Sequence, residues 1–199
     1  MPIETTSTSV CVVWSRTSGW ILGWKPSTVW VYPLLVVGDG PEKARLEALA
    51  GPTVTLLGRQ SQQQVEELMA RCRAFVYAGL EDFGIAPVEA MASGAPVIGL
   101  GRGGLLDTVR CAAAGIPEPT GVLFPEQSVE SLVQAVEWFE QERIWRSLDA
   151  EAIRAWAERF RPEAFAARFK SALRTAWSAH QRGCAVAASD PAETPVLHL

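Results

Sequence analysis

Residues 77–99 read YAGLEDFGIAPVEAMASGAPVIG, and this stretch contains the pattern that decides the fold. An apolar run ends at Tyr77, a glycine-containing loop follows, and a helical segment then runs to Gly94 before a second apolar run begins. Short apolar strands that alternate with helices are typical of βαβ units, whose parallel strands are covered by helices on both faces. We therefore expect a strand, a helix closed by Gly94 and a second strand in this stretch.

The same alternation continues on both sides of this stretch. The runs LLVVG (34–38), TVTLLG (53–58) and GVLF (121–124) predict further buried strands. Ser61 and Gln64 form a capping-box pattern, Ser128 is placed to cap an amphipathic helix, and Pro162 is placed to start a closing helix. Because crossovers between parallel strands are right-handed, the fold class is α/β: a Rossmann-like parallel sheet with helices on both faces.

Glycine-rich turns follow four of the predicted strands, in the segments GDG, LGRQ, AGLEDFG and LGRGG. In open parallel sheets, ligands bind beyond the carboxyl ends of the strands, where such turns lie. We therefore expect a binding site at this edge. Each turn taken alone is equally typical of an ordinary strand-to-helix connection that needs glycine for a positive φ.

Two carboxylates in the quoted stretch are candidate binding groups. Glu81 lies in the loop after a strand, where it can accept hydrogen bonds from sugar hydroxyls, and Glu89 lies about one turn into the next helix, within reach of a ribose. The amides of Phe83, Gly84 and Ile85 come close to a helix N-terminus, which attracts phosphate. The alternative is that Glu81 is an ordinary solvated charge in a loop and that Glu89 merely stabilises the N-terminal end of its helix.

The composition excludes several classes of protein. The 199 residues carry a formal net charge of −4 and contain no run of Lys and Arg, so no nucleic-acid partner is expected. No apolar run is long enough for a transmembrane segment, and the four scattered cysteines show no metal-ligand spacing. We expect a cytoplasmic protein, with peripheral attachment to a membrane left open.

Residues 34–140, taken together, resemble the C-terminal domain of a family-4 retaining glycosyltransferase of the GT-B fold. The resemblance follows the chain in order from LLVVGDGPEKARLEALA through VYAGLEDFGIAPVEAMASGAPVIGLGRGG to SVESLVQAVEWFE. The Glu-x(7)-Glu pattern of that family falls on Glu81 and Glu89. By this resemblance Glu81 is catalytic and contacts the donor sugar, and Glu89 contacts the ribose of the nucleotide.

The resemblance also implies roles for the surrounding backbone. The segment Phe83, Gly84 and Ile85 would line the sugar diphosphate, Gly38 and Gly58 would lie near the nucleotide, and Arg59 would lie beside the base. The string EDFGIAPVEA is particularly like bacterial mannosyltransferases, which suggests GDP-mannose as donor and leaves UDP-sugars open. No cofactor and no metal ion are implied. Two alternatives stay open: a non-catalytic nucleotide-sugar-binding or partner module, and a nucleotide-sugar epimerase of the same architecture.

Residues 1–33 depart from the family pattern. The family has an N-terminal acceptor domain, which we expect to be absent here or supplied by a separate chain, and a basic loop where this chain reads WSRTSGWIL. Read one nucleotide out of frame, residues 14–22 can encode LVPYKRLDL, so a frameshift is one hypothesis and a divergent segment is the other. We expect three parts: this segment, a donor-binding domain over 34–180, and a disordered tail over 181–199. The chain as written is expected to be truncated and impaired.

Overall fold

The computed structural model describes residues 10–13 and 32–181. The chain forms two compact units, which divide between Glu158 and Arg159. The first unit contains a parallel sheet with its covering helices, and the second contains one long helix.

Within the described residues, the sheet has six strands, and every pair of neighbouring strands is parallel. The strands are β1 (Val10–Val13), β2 (Leu34–Val37), β3 (Val54–Gly58), β4 (Ala74–Tyr77), β5 (Val97–Leu100) and β6 (Gly121–Phe124). Their spatial order is β3-β2-β1-β4-β5-β6. This is the order of a doubly wound Rossmann sheet, in which the direction of winding reverses between β1 and β4. The predicted α/β fold class is confirmed.

Strand β1 comes from the segment that precedes residue 34. Val10 pairs with Leu34 on one side and with Ala74 on the other, so β1 lies in the middle of the sheet. Residues 14–31, which contain most of the segment covered by the frameshift hypothesis, lie outside the described residues. The same is true of the predicted tail beyond residue 181.

Seven α-helices lie within the described residues. They are α1 (Lys43–Leu49), α2 (Gln62–Arg71), α3 (Ile85–Ala92), α4 (Leu105–Thr108), α5 (Val129–Gln141), α6 (Ala150–Ala157) and α7 (Pro162–Gln181). Single 3₁₀ turns occur at Ala112–Ala114, Ile144–Arg146 and Glu158–Phe160. Helix α4 is only four residues long.

The predicted helix caps are confirmed. The Ser61 hydroxyl accepts the backbone N–H of Gln64 at 3.3 Å, and the Gln64 carbonyl oxygen of the side chain accepts the backbone N–H of Ser61 at 2.9 Å. Ser128 caps α5 by accepting the N–H of Ser131 at 3.1 Å. These bonds satisfy backbone donors that the first helical turn leaves without partners.

Gly94 ends α3 as its position in the sequence predicted. It has a φ of 89°, a conformation that costs a glycine little because it has no Cβ. The N–H of Gly94 bonds the carbonyl of Met91, and the N–H of Ala95 bonds the carbonyl of Ala90. These two bonds form a Schellman motif, which returns the chain to the sheet at β5.

Two apolar clusters cover the two faces of the sheet. On one face, residues of α5, including Val136 and Phe139, pack on alternate strand residues such as Val76 and Ile98. The opposite face is covered by α2, α3 and α6. Its buried residues include Met69, Phe75, Tyr77, Ala90, Met91, Val97 and Ile153. Since both faces are buried, the strands are apolar throughout, and the polar contacts concentrate at the strand ends.

The second unit has an exposed apolar stripe on α7. Phe165, Phe169, Leu173 and Trp177 recur at every fourth position, and each is more than half exposed. The rings of Phe165 and Phe169 stack, with centroids 5.8 Å apart. Across residues 10–13 and 32–181, no helix combines the length and the apolar content that crossing a bilayer requires.

Candidate functional site

The loops at the carboxyl ends of the strands form the candidate site. The strand order reverses between β1 and β4, and ligands of doubly wound sheets bind in the crevice at this point. The loops after β2 and β3 lie on one side of the reversal, and the loops after β4 and β5 lie on the other. The sequence-predicted residues fall into the same two groups.

Gly38 and Gly58 are joined directly on the first side. The N–H of Gly38 donates to the carbonyl of Gly58 at 2.9 Å, and both residues have positive φ, 138° and 65°. A Cβ on Gly58 would lie 3.4 Å from the ammonium nitrogen of Lys43, the first residue of α1. Arg59 follows and is exposed. Two cationic side chains therefore lie close to the glycine turn, although only Arg59 was predicted.

The backbone of Glu81 is held on the second side by the turn after β5. The N–H of Gly104 donates to the carbonyl of Glu81 at 2.8 Å. A Cβ on Gly104 would lie 2.5 Å from the carbonyl oxygen of Asp82 and 2.5 Å from the Cα of Phe83, and a Cβ on Gly103 would collide with the carbonyl oxygen of Glu81. The two loops are therefore in backbone contact that only glycine permits.

The negative charge of Glu81 acts on the phenol of Tyr77, four residues earlier in the chain. Tyr77 is the last residue of β4 and is buried, whereas Glu81 is half-buried. Burial of the phenol, and after it the interaction with the negatively charged Glu81, raises the pKa of Tyr77 above its usual range. Tyr77 therefore stays protonated at neutral pH.

Helix α3 begins directly after this loop. Gly84 is its N-cap, with a φ of 82°, and Ile85 is its first residue. A Cβ on Gly84 would lie 3.1 Å from Leu105, so the turn is packed against α4. The side chains of Phe83 and Ile85 are exposed, and no side-chain cap is bonded to the first turn of α3. The backbone donors at this terminus are thus suited to an anionic group.

Glu89 lies in the fifth position of α3, on its exposed side. Partial burial of its carboxyl raises its pKa, and the negative charge of Glu66 on α2 raises it further. Its neighbour is therefore α2, which follows the Gly58 turn, and the described contacts do not join it to Glu81. Glu89 therefore belongs to the helix that follows the Glu81 loop, and its charge interacts with α2.

Three contributors to the site were missed by sequence reasoning. Tyr77 was assigned only to a strand, and Lys43 only to a helix. Gln127, just before α5, donates from its side-chain nitrogen to the carbonyl of Ala78 at 3.0 Å and so holds the loop after β4 from a third side. A tyrosine at the last position of an otherwise apolar strand was the available signal, because its hydroxyl must leave the core to find a partner.

This strand order, with glycine turns clustered along one edge, defines a Rossmann-type α/β domain. The chain belongs to the family described as "Glycosyl transferases group 1", whose model matches residues 28–159. The match begins within the segment that departs from the family's basic-loop pattern and extends to the end of the first compact unit.

Relatives with assigned activities support the family membership. The chain is 38% identical to a GDP-mannose-dependent alpha-mannosyltransferase of Mycobacterium tuberculosis over 93 residues, which are 46% of this chain and 23% of that protein. It is 36% identical to the human alpha-1,3/1,6-mannosyltransferase ALG2 over 118 residues, 58% of this chain and 26% of that protein.

Solved structures share the fold. A sucrose-phosphate synthase from Thermosynechococcus elongatus aligns with a TM-score of 0.66 at 25% identity, over 90% of this chain and 47% of that one. Anabaena HepE in complex with UDP and glucose aligns with a TM-score of 0.65 at 20% identity, over 87% of this chain and 50% of that one. The chain therefore spans about half the length of these structures and about a quarter of the two mannosyltransferases.

Proposed function

We propose that this chain is the donor-binding domain of a retaining glycosyltransferase that uses a nucleotide sugar, and that a hexose is the group transferred. One observation carries the proposal: the Glu81 carboxylate and the N-terminus of α3 share one loop at the reversal of the strand order, and that loop is fixed by the turn after β5. A sugar diphosphate needs such a pair, since its hydroxyls require acceptors and its phosphates require donors.

The loops after β2 and β3 bind one part of the donor, and the loop after β4 binds the other. Glu81 accepts hydrogen bonds from the sugar hydroxyls, and the amides of Gly84 and Ile85 face the diphosphate. Because Gly38 and Gly58 have no side chains, the nucleotide can approach the backbone there, and Arg59 lies beside the base. Glu89 receives the ribose hydroxyls.

We propose GDP-mannose as the donor. The mycobacterial relative is named as GDP-mannose-dependent, and the human relative is named as a mannosyltransferase. UDP-glucose is the comparison ligand, because Anabaena HepE binds it. We propose that the acceptor-binding domain lies either in a longer form of this chain or in another polypeptide.

Titration calorimetry on the purified chain tests this function. We expect the chain to bind GDP-mannose or UDP-glucose, with a higher affinity for one of the two. In Glu81→Ala, the nucleotide sugar should bind no more tightly than the nucleotide diphosphate alone. Asp82→Ala is the matched control, since it removes a neighbouring exposed carboxylate from the same loop. If the wild-type chain binds neither nucleotide sugar at millimolar concentration, the proposal is wrong. Release of an epimerised sugar without acceptor would favour an epimerase instead.

A further inference from the structure

Gln127 connects two loops whose strands are not neighbours in the sheet. It lies in the loop between β6 and α5, and its side-chain nitrogen Nε2 donates to the carbonyl oxygen of Ala78, the first residue after β4, at 3.0 Å. Strand β5 lies between β6 and β4 in the sheet. The side chain of Gln127 therefore crosses the carboxyl end of β5 to reach its acceptor.

The backbone on both sides of Gln127 is itself fixed. The N–H of Ser128 donates to the carbonyl of Glu126 at 2.8 Å, and the N–H of Glu126 donates to the Ser131 hydroxyl at 3.4 Å. Ser128 also caps α5. These bonds tie the neighbours of Gln127 to the first turn of α5. The amide of Gln127 therefore starts from a defined point, although its side chain is exposed.

Ala78 and Glu81 are the two fixed ends of a four-residue segment that leads from β4 into the candidate site. Ala78 packs on the apolar cluster that α5 covers, and Gln127 bonds its carbonyl. The carbonyl of Glu81 is bonded by Gly104, in the turn next to α4. Between these two bonds lies Gly79, and glycine has more backbone freedom than any other residue. The bond from Gln127 therefore limits the conformations of this segment.

We propose that Gln127 is a positioning residue for the donor sugar: by bonding Ala78, it fixes the start of the segment that carries Glu81. The inference rests on the proposed function and deepens it. Without this bond, the segment beyond β4 would be held only by the bond from Gly104 to Glu81. Restricting a loosely held segment costs free energy when the ligand binds, so a segment fixed in advance favours the sugar without contacting it.

The effect of Gln127 should be confined to the sugar part of the donor. The amides proposed to bind the diphosphate belong to Gly84 and Ile85, at the start of α3. Helix α3 is anchored separately by its buried residues Ala90 and Met91. The proposed nucleotide-binding loops follow β2 and β3, on the other side of the strand reversal. The affinity for GDP alone should therefore depend little on the bond from Gln127.

Gln127→Met keeps the length of the side chain and removes the donor, and calorimetry with GDP-mannose and with GDP measures its effect on this chain. We expect the affinity for GDP-mannose to fall roughly three- to tenfold, as for the loss of one hydrogen bond, while the affinity for GDP stays within about twofold. UDP-glucose and UDP replace this ligand pair if the chain prefers uridine. Gln134→Met is the matched control, because it removes an exposed glutamine from α5 and should change neither affinity.

Two further variants distinguish positioning from a general structural role. Gln127→Asn keeps the amide but shortens the side chain by one methylene, so it should lose the bond to Ala78 and behave like Gln127→Met. Gln60→Met removes a similar contact beside β3, from the Gln60 side chain to the carbonyl of Leu57 at 2.7 Å, and should change the affinities for GDP and GDP-mannose by the same factor. In a Glu81→Ala background, Gln127→Met should have no further effect, because it acts through Glu81.

The outcomes separate the two proposals. If the wild-type chain binds nucleotides and nucleotide sugars, and Gln127→Met weakens both equally or neither, the role of Gln127 is overturned and the donor site stands. The same holds if Gln127→Asn binds as the wild-type chain does, if Gln60→Met is equally selective for the sugar, or if the Gln127 and Glu81 substitutions are additive. If the wild-type chain binds neither class of ligand, the donor site itself is wrong, and the role of Gln127 falls with it.

Discussion

The backbone N–H of Gly104 lies 2.8 Å from the carbonyl oxygen of Glu81 and donates a hydrogen bond to it. Gly104 belongs to the turn after β5 and Glu81 to the loop after β4, so the bond joins neighbouring loops of the sheet edge. The contact is too close for any Cβ at residue 104. The position of Glu81 thus depends on a glycine more than twenty residues away in sequence.

Gly104→Ala should separate the two loops. The new Cβ would meet backbone atoms of Asp82 and Phe83, and overpacking of this kind costs about 1–3 kcal/mol of stability. We expect this loss in urea unfolding, with weaker binding of GDP-mannose at temperatures where the variant stays folded. Gly51→Ala is the control, since a Cβ there meets nothing within 4 Å. Equal stability of Gly104→Ala and the wild-type chain would contradict the described packing.

Glu81→Gln should weaken sugar binding more than nucleotide binding. The amide keeps the size of the side chain but replaces one acceptor oxygen with a donor and removes the charge. A hydrogen bond to a charged group is worth about 1.5–3 kcal/mol, so we expect the affinity for GDP-mannose to fall by roughly tenfold or more. Asp82→Asn, one residue further on, should change it by less than about twofold. Equal losses in the two variants would remove the special role of Glu81.

Glu89 should make nucleotide binding sensitive to pH. An ionised carboxylate accepts hydrogen bonds from ribose hydroxyls more strongly than a protonated carboxyl does. Partial burial and the charge of Glu66 raise the pKa of Glu89. As the pH is lowered, the affinity for GDP should therefore begin to fall at a higher pH than it would with an ordinary glutamate, whose pKa is about 4.3. In Glu89→Gln this pH dependence should be absent. Its persistence there would assign the titration to another group.

The same shift predicts a small gain of stability in Glu89→Gln. A carboxyl whose pKa is higher in the folded state than in the unfolded state favours folding when protonated, so its contribution declines as pH rises through that range. At pH 7 the variant should have a slightly higher Tm than the wild-type chain, and the difference should disappear at a pH below the ordinary glutamate pKa. A lower Tm at pH 7 would contradict the direction of the shift.

Arg73→Met should destabilise the chain without touching the donor site. Arg73 precedes β4, at the opposite end of the strand from Glu81, and pairs with Glu140 of α5 at 2.9 Å; both side chains are largely buried. Removing the cation leaves the Glu140 carboxylate in the interior, which costs about 3 kcal/mol. Urea unfolding measures this loss, and GDP affinity under folding conditions should not change. Arg45→Met, which breaks the exposed pair with Glu42, should cost less than about 1 kcal/mol.

Local signals in the sequence predicted most of the elements of the fold. The capping box at Ser61, the Ser128 cap and the Schellman turn at Gly94 depend on residues within a few positions of one another, so their patterns are complete in a short window. Buried runs such as LLVV and AFVY predict strands because both sheet faces are covered. Strand β1 was missed because four apolar residues in an otherwise divergent segment do not define a strand.

The contacts of the site were harder to predict because they join distant parts of the chain. Gly104 was expected only as part of a glycine-rich turn after a strand, and nothing near it in sequence indicated that it would bond Glu81. The Gln127 contact with Ala78 depends on how the loop before α5 crosses the edge. Glu81 and Glu89 were predicted from a family pattern, and their roles stay proposals. The pattern fixes their spacing along the chain, whereas their environments depend on α2 and the turn after β5.

The central place of β1 has a consequence for how the chain assembles. Among the described pairings, β1 alone joins β2 and β3 to β4, β5 and β6. The second edge of β1 is therefore paired only when β4, more than sixty residues later in the chain, has joined the sheet. Such a long-range closure is expected to slow folding. It also means that Gly58 and the loop of Glu81 belong to two groups of strands, which only the four residues of β1 join within the described sheet. If a protease removed Val10–Val13, each group of strands would keep its own loops. The proposed nucleotide-binding loops after β2 and β3 would then no longer be joined to the proposed sugar-binding loop after β4.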